Sequence, residues 1–182
     1  LKQNLNPDFW FIFDILNIEW DYPKIYGNGI CKFIPFRMKG SIDKIDNETL
    51  LFNQIGGIRD FSADALRGLY KGENVVFSML QLAFYMGFRE IYLIGVDFNW
   101  GEGVGYQDNA VLIKGQSIPN THFAENYYEE DEPWMSPVLE DAIQQFNIAK
   151  RFLNSKGIEV YNAGIDSKLD VFPKKNFKDL FI

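Results

Sequence analysis

The sequence predicts an α/β domain built on a mostly parallel sheet, and three observations carry that prediction. Residues 72–100, GENVVFSMLQLAFYMGFREIYLIGVDFNW, read as a buried helix, a tight turn and a hydrophobic strand that ends in Asp97. Residues 9–14, FWFIFD, form a nearly continuous apolar run closed by a carboxylate, the pattern of a strand buried on both faces. After residue 74 the order helix, strand, long loop, helix, strand implies right-handed crossovers between parallel strands.

Taken in order, Pro7 and Asp8 open the first strand at 9–14. The triad Gly27-Asn28-Gly29 looks like a phosphate loop, but strand-like ICKFIPF follows it rather than a helix, so it reads as a turn. Residues 30–36 form a second strand, which Pro35 pushes toward a sheet edge. Residues 50–69 are ambiguous, with Gly56-Gly57 as a break and a short helix after Ser62. The helix at 74–86 is apolar nearly all round and should pack on the sheet. Gly87 stops it, and a strand at 91–96 follows.

Residues 98–134 turn polar and Gly-rich, and a loop of that length in a compact domain is functional or disordered. Ser136-Pro137 then open an amphipathic helix in which Leu139, Ala142, Ile143, Phe146, Ala149 and Leu153 recur at helical spacing. Gly157 ends it, a final strand occupies 158–161, and a polar turn covers 162–168. The basic tail FPKKNFKDLFI reads as an ordinary terminal element, with contact to a membrane surface or a partner as the alternative.

At 182 residues the chain suits one well-buried domain. Its 47% hydrophobic and 16% aromatic content supports a large core. A formal net charge of −7 argues against a general phosphate-backbone binder, so no nucleic-acid partner is expected. A single anionic ligand is still compatible, because helix N-termini can hold one. Cys31 is the only cysteine, which excludes an internal disulfide and fits a reducing cytoplasm. No apolar run reaches the roughly 18 residues of a spanning helix. The chain opens on Leu1 directly before a strand, which reads as a piece of a longer protein.

Candidate chemistry sits at strand ends and helix starts, where open α/β sheets bind ligands. Asp14 and Asp97 each close a strand; either orients a ligand hydroxyl or metal, or merely caps a neighbouring loop. Asn74 is a natural N-cap, and the amides behind it, from Val75 onward, can also receive a phosphate. His122 is the only histidine, in the loop string NTHFAENYY, and its ordinary pKa suits proton transfer near neutrality. A packing histidine is the plainer alternative. Tyr106 in GEGVGY is placed to donate to a leaving phosphate, although loop tyrosines more often pack.

The strings LQLAFYMGFREIYLIGVDFNW, HFAENYY and VYNAGIDSKLDVFP, with the helix after Ser136-Pro137, resemble the MptE-like domain family over residues 7–174. That family is named for an archaeal 6-hydroxymethylpterin diphosphokinase, and the same core is similar to small bacterial sialyltransferases that use CMP-sugars. The resemblance implies a Rossmann-like three-layer sandwich with a mostly parallel sheet, as a single domain over 1–182 lacking the family's N-terminal nucleotide-binding βα segment. It implies a glycosyltransferase-like enzyme that uses a nucleotide-activated sugar, with CMP favoured, in bacterial surface polysaccharide or lipooligosaccharide synthesis. Its partners would be a nucleotide-sugar donor and a glycan acceptor, in the cytoplasm or peripheral to the inner membrane; homo-oligomerisation is compatible with it.

By the same resemblance His122 and Tyr106 are catalytic, and Asp14, Asn74, Val75, Asp97, Asn99, Asn126 and Asn162 bind nucleotide or substrate. Asn99 stands where the sialyltransferases carry a tyrosine, and Asn126 where they carry a second histidine, the base. No metal or other cofactor is required in this scheme. The alternatives are a pterin diphosphokinase, in which Mg²⁺ bridges phosphates and contacts Asp14 and Asp97, and a catalytically silent binding domain.

Overall fold

The computed structural model describes residues 7–56, 60–98 and 138–181. They form a mixed α/β structure of short strands in small sheets, and every strand pairing is parallel. Two compact units divide the chain, Leu1–Met86 and Gly87–Ile182.

The first unit begins β1 (Phe9–Phe11), α1 (Ile15–Ile25), β2 (Cys31–Pro35), a 3-10 turn (Phe36–Ser41) and β3 (Thr49–Phe52). The sheet order is β1-β2-β3, so β2 is central rather than at an edge. Pro35 is tolerated there because it is the last residue of β2, in register with Phe52. The ladder to β1 closes with Ile12 N–H donating to the Phe33 carbonyl at 3.0 Å. By alternation the amide that Pro35 lacks would face β1 just past that bond, so the proline ends the β1 ladder instead of breaking it. The edge strands of this sheet are β1 and β3. Phe9 of β1 is 45% exposed, so the run at 9–14 is less deeply buried than its composition suggests.

Side chains from β2 serve two cores. Ile34 joins Ile12, Ile18, Tyr22, Ile25 and Met38, the cluster built on α1. Phe33 joins Phe52, Leu69 and Leu82, the last from the second helix of this unit. Trp10 and Phe11 of β1 pack on the first and second cluster respectively, as period-2 alternation requires. α1 is not apparent from the sequence pattern, since Pro23 lies inside it, but Ile18, Tyr22 and Ile25 give it one buried stripe.

From β3 the chain passes through Asn53 into β4 (Gln54–Ile55), which pairs with β5 (Leu69–Tyr70). Instead of a short helix after Ser62 there is a turn at 65–67. Asp64 makes it, its carbonyl accepting from Arg67 N–H at 3.1 Å and its carboxylate from Leu66 N–H at 3.0 Å. Helix α2 (Val75–Tyr85) then buries Phe77, Ser78, Leu80, Gln81 and Leu82, and Gly87 follows it at φ +90°.

Gln81 closes the free edge of β5. Its Oε1 accepts from Tyr70 N–H at 2.9 Å and Ser62 N–H at 3.0 Å, while Nε2 donates to the Tyr70 carbonyl at 3.0 Å. One side-chain amide thus does the work of a neighbouring strand.

The second unit pairs β6 (Glu90–Leu93) with β7 (Glu159–Asn162), and α3 (Leu139–Ser155) precedes β7. The strand expected at 91–96 is shorter, and Asp97 lies four residues beyond it. Gly95 at φ +71° and Phe98 at φ +52° bend the segment out of the ladder. On α3 the buried stripe is Ala142, Gln145, Phe146, Ala149 and Leu153. Ile143 is 40% exposed, because it stands about 100° round the helix from Ala142, whereas Gln145 stands about 60° from it on the other side, nearer the stripe. Gly157 follows the helix at φ +68°. The basic tail is anchored: Lys175 N–H donates to the Asn162 carbonyl at 2.9 Å, ahead of a 3-10 turn at Phe177–Phe181. Among the described residues no helix is long and apolar enough to cross a membrane.

Candidate functional site

In the first unit, Asp14 stands between β1 and α1. Its carbonyl accepts the first helical bond, from Ile18 N–H at 3.1 Å, which puts Asp14 in the N-cap position of α1. Asn74 has the same place on α2. It adopts an extended backbone, φ −145° and ψ 156°, and its Oδ1 accepts from Phe77 N–H at 3.1 Å. The Nδ2 of Asn74 is buried and has no acceptor among the described residues. Val75 is the first residue of α2, so its N–H is among those a helix cannot satisfy internally.

With all strands parallel, Asp14 and Asn74 follow the carboxyl ends of β1 and β5. Counting β3 and β4 as one run, those strands stand three spacings apart, about 14 Å.

In the second unit, Asp97 lies against the loop 162–169. Its carbonyl accepts Lys168 N–H at 2.7 Å, and the Ser167 hydroxyl donates to the Val96 carbonyl at 2.9 Å. The Asp97 carboxylate is half-buried and makes no hydrogen bond or ion pair among the described residues. Asn162 is the opposite case. It is 1% exposed, its Nδ2 donates to Ser167 Oγ and the Leu169 carbonyl, both at 2.8 Å, and its Oδ1 accepts Gly164 N–H at 3.0 Å. Both amide hydrogens are therefore consumed, and the side chain shapes the loop. His122, Tyr106, Asn99 and Asn126 lie outside the described residues.

Two polar clusters have no counterpart among the residues singled out from the sequence. Lys32 is 0% exposed, and its Nζ meets Asp46 Oδ2 at 2.9 Å and the Ile30 carbonyl at 2.8 Å. Asp46 also accepts from Gly27 N–H at 2.8 Å and from Thr49 Oγ1 at 2.6 Å, and Thr49 Oγ1 lies 3.1 Å from Tyr22 Oη. Burial pushes the Asp46 carboxyl up, but bonds from Gly27, Thr49 and Lys32, with the Lys32 charge, outweigh it and hold it below the usual range. Each of these polar side chains has a partner within the cluster, which marks a structural lock between the turn at Gly27 and β3. A lone lysine amid apolar neighbours in CKFIP is the signal the sequence offers for it.

The second cluster lies on one face of β6–β7. Tyr92 and Tyr161 stack at 5.5 Å, and Lys175 Nζ lies 5.2 and 4.6 Å from the two ring centroids. Tyr92 bonds to Glu90, and Lys175 pairs with Glu90 at 3.6 Å. The bond to Tyr92 raises the Lys175 pKa. Tyr161 is raised by burial and by its bond to Glu159. These groups satisfy one another.

Comparison of the chain with protein-family models, with curated proteins and with solved structures finds no match. The chemistry of the chain's own residues is therefore the ground for assigning a function.

Proposed function

We propose that the chain is a glycosyltransferase-like enzyme of Rossmann-like, MptE-like architecture, taking a nucleotide-activated sugar, with CMP favoured, and a glycan acceptor of a bacterial surface polysaccharide or lipooligosaccharide. The observation that carries the reading is the start of α2. Asn74 spends its oxygen on the cap while its buried Nδ2 lacks an acceptor, beside the free amides that follow a parallel strand. A donor phosphate supplies the missing acceptor, and the helix dipole favours its charge. The use of both β2 faces, by the α1 and α2 clusters, supports the three-layer sandwich of the proposed single domain.

In this mechanism Asn74 and Val75 hold the phosphate, and Asp14 contacts a separate part of the nucleotide. Asp97 contacts donor hydroxyls, and His122 takes the proton from the acceptor hydroxyl, for which a group titrating near neutral pH is suited. Tyr106 donates to the departing phosphate, where negative charge builds up. Asn99 and Asn126 add amide contacts to substrate. Asn162 acts through its loop. The chemistry needs no metal, and the enzyme works in the cytoplasm or at the inner membrane surface.

Thermal-shift measurements with CMP, UDP, GDP and ATP, each with Mg²⁺ or EDTA, test the reading. A CMP shift that ignores EDTA is expected. A shift confined to ATP with Mg²⁺ would replace this function with diphosphoryl transfer, and no shift with any nucleotide would leave a silent binding domain.

A further inference from the structure

Two buried side-chain nitrogens have no acceptor among the described residues, Asn74 Nδ2 and Gln54 Nε2, and both belong to the first unit. The donor reading uses the first. Gln54 opens β4, in register with Leu69, which lies in the core with Leu82 of α2. Its Oε1 accepts from Arg37 Nε at 2.5 Å. That bond fixes which way round the amide sits, because only the oxygen can face a donor, and the nitrogen keeps both hydrogens unspent. A buried donor without a partner is rare in native proteins and calls for an acceptor from elsewhere.

Arg37 is the other half. It stands in the turn Phe36–Ser41, just past the carboxyl end of β2, between the buried Pro35 and Met38, which hold the backbone on either side. Its bond to Gln54 uses Nε, and its terminal Nη groups have no hydrogen bond or ion pair among the described residues. A partner present only for structure would serve better as a carboxylate, which cancels the charge. The neutral amide holds the guanidinium and leaves its charge whole.

Covalent geometry forces these unspent donors together. An amide nitrogen lies about 2.2 Å from its own oxygen, and each Nη lies about 2.3 Å from Nε. Across the bond between them, Gln54 Nε2 and the Arg37 Nη groups therefore stand within about 7 Å of one another. One phosphate spans that gap with hydrogen bonds of ordinary length. The place is also where open parallel sheets take ligands, at the carboxyl ends of the neighbouring runs β2 and β3–β4.

We propose that Arg37 and Gln54 form a phosphate-binding site of the first unit. The Nη groups and Gln54 Nε2 donate to separate oxygens of the anion, while Gln54 Oε1 keeps the guanidinium aimed. Planar forks of this kind suit phosphate oxygens. The site stands apart from the donor reading, since inorganic phosphate alone fills it.

The test is the melting temperature of the whole chain in inorganic phosphate and in chloride at equal ionic strength. A net charge of −7 opposes loose anion binding, so a saturable rise with phosphate and none with chloride is expected. Arg37→Lys keeps the charge and loses the fork, and Gln54→Met keeps the length and loses the donor. Each should raise the phosphate concentration needed for half the shift about tenfold or more, the size of a bond to a charged group. Comparing each variant with itself in chloride cancels any general loss of stability. Gln54→Glu still accepts from Arg37, so it should fold as firmly and lose the shift; it decides the matter if Gln54→Met does not fold. No phosphate shift in the unaltered chain, or one that survives both Gln54 changes, overturns the site. A chain that holds phosphate through Arg37 and Gln54 but not CMP supports the site and ends the donor reading. One that binds CMP and ignores phosphate does the reverse.

Discussion

Asp46→Asn is the sharpest probe of what holds the first unit together. The substitution keeps the shape of the side chain and removes the counter-charge of a lysine with no exposed surface. At the observed 2.9 Å and an effective dielectric of roughly 20, the Coulomb attraction between Lys32 and Asp46 is about 6 kcal/mol. An asparagine oxygen still accepts from Lys32 or Gly27 and recovers about 1–2 kcal/mol of it. The remaining loss, about 4 kcal/mol, agrees with the roughly 3–5 kcal/mol seen when one partner of a buried pair is removed. Urea unfolding should therefore show a midpoint lower by about 2 M with an unchanged slope. Lys32→Met combined with Asp46→Asn should be less destabilised than Asp46→Asn alone, because no unpaired charge then stays buried.

The same pair governs acid stability. The folded-state pKa of Asp46 is lowered, so its contribution is complete above the unfolded value of about 4 and is lost as pH falls through the folded value. The unaltered chain should lose stability below about pH 4 more steeply than Asp46→Asn. A midpoint change under about 0.5 M at neutral pH, together with parallel acid curves, would refute the reasoning from charge pairing.

Other perturbations have separate readouts. Gly68→Ala should destabilise by about 3 kcal/mol in the same urea assay, since strained backbone and steric overlap combine there: φ is +136° and a Cβ would lie 2.7 Å from the Asn53 carbonyl oxygen. Asn74→Ala should cost about 1 kcal/mol through the lost cap and should also weaken CMP binding; loss of stability with unchanged CMP affinity would reduce Asn74 to a cap. His122→Ala should lower sugar-transfer turnover about 10²-fold or more while nucleotide affinity stays the same. Unchanged turnover removes it from the mechanism.

Period and punctuation make much of the fold legible. The apolar stretch before Gly87 gives α2 to within a residue at each end, and the stripe with Gly157 gives the end of α3, whose start falls at Leu139, two residues past the expected Pro137. α1 is hidden, because Pro23 and a short turn mask a stripe that only tertiary packing against Ile34 reveals. Pro35 misleads because a proline's penalty depends on which neighbour its missing amide would face, and sequence does not show that direction. At the candidate site, the cap at Asn74 is readable from residue type and position alone. Whether Asp97 and Asn162 are free or engaged is not readable, because it depends on bonds to residues far along the chain. Ser167 reaches back to Val96, and that one contact separates a carboxylate left open from an amide fully used.

The amide of Gln81 has a consequence for the newborn chain. Until residue 81 has left the ribosome, the Tyr70 N–H lacks its partner and is open to any passing extended segment. A polypeptide cut short within α2 would keep that adhesive border, whereas the finished unit has it sealed from within.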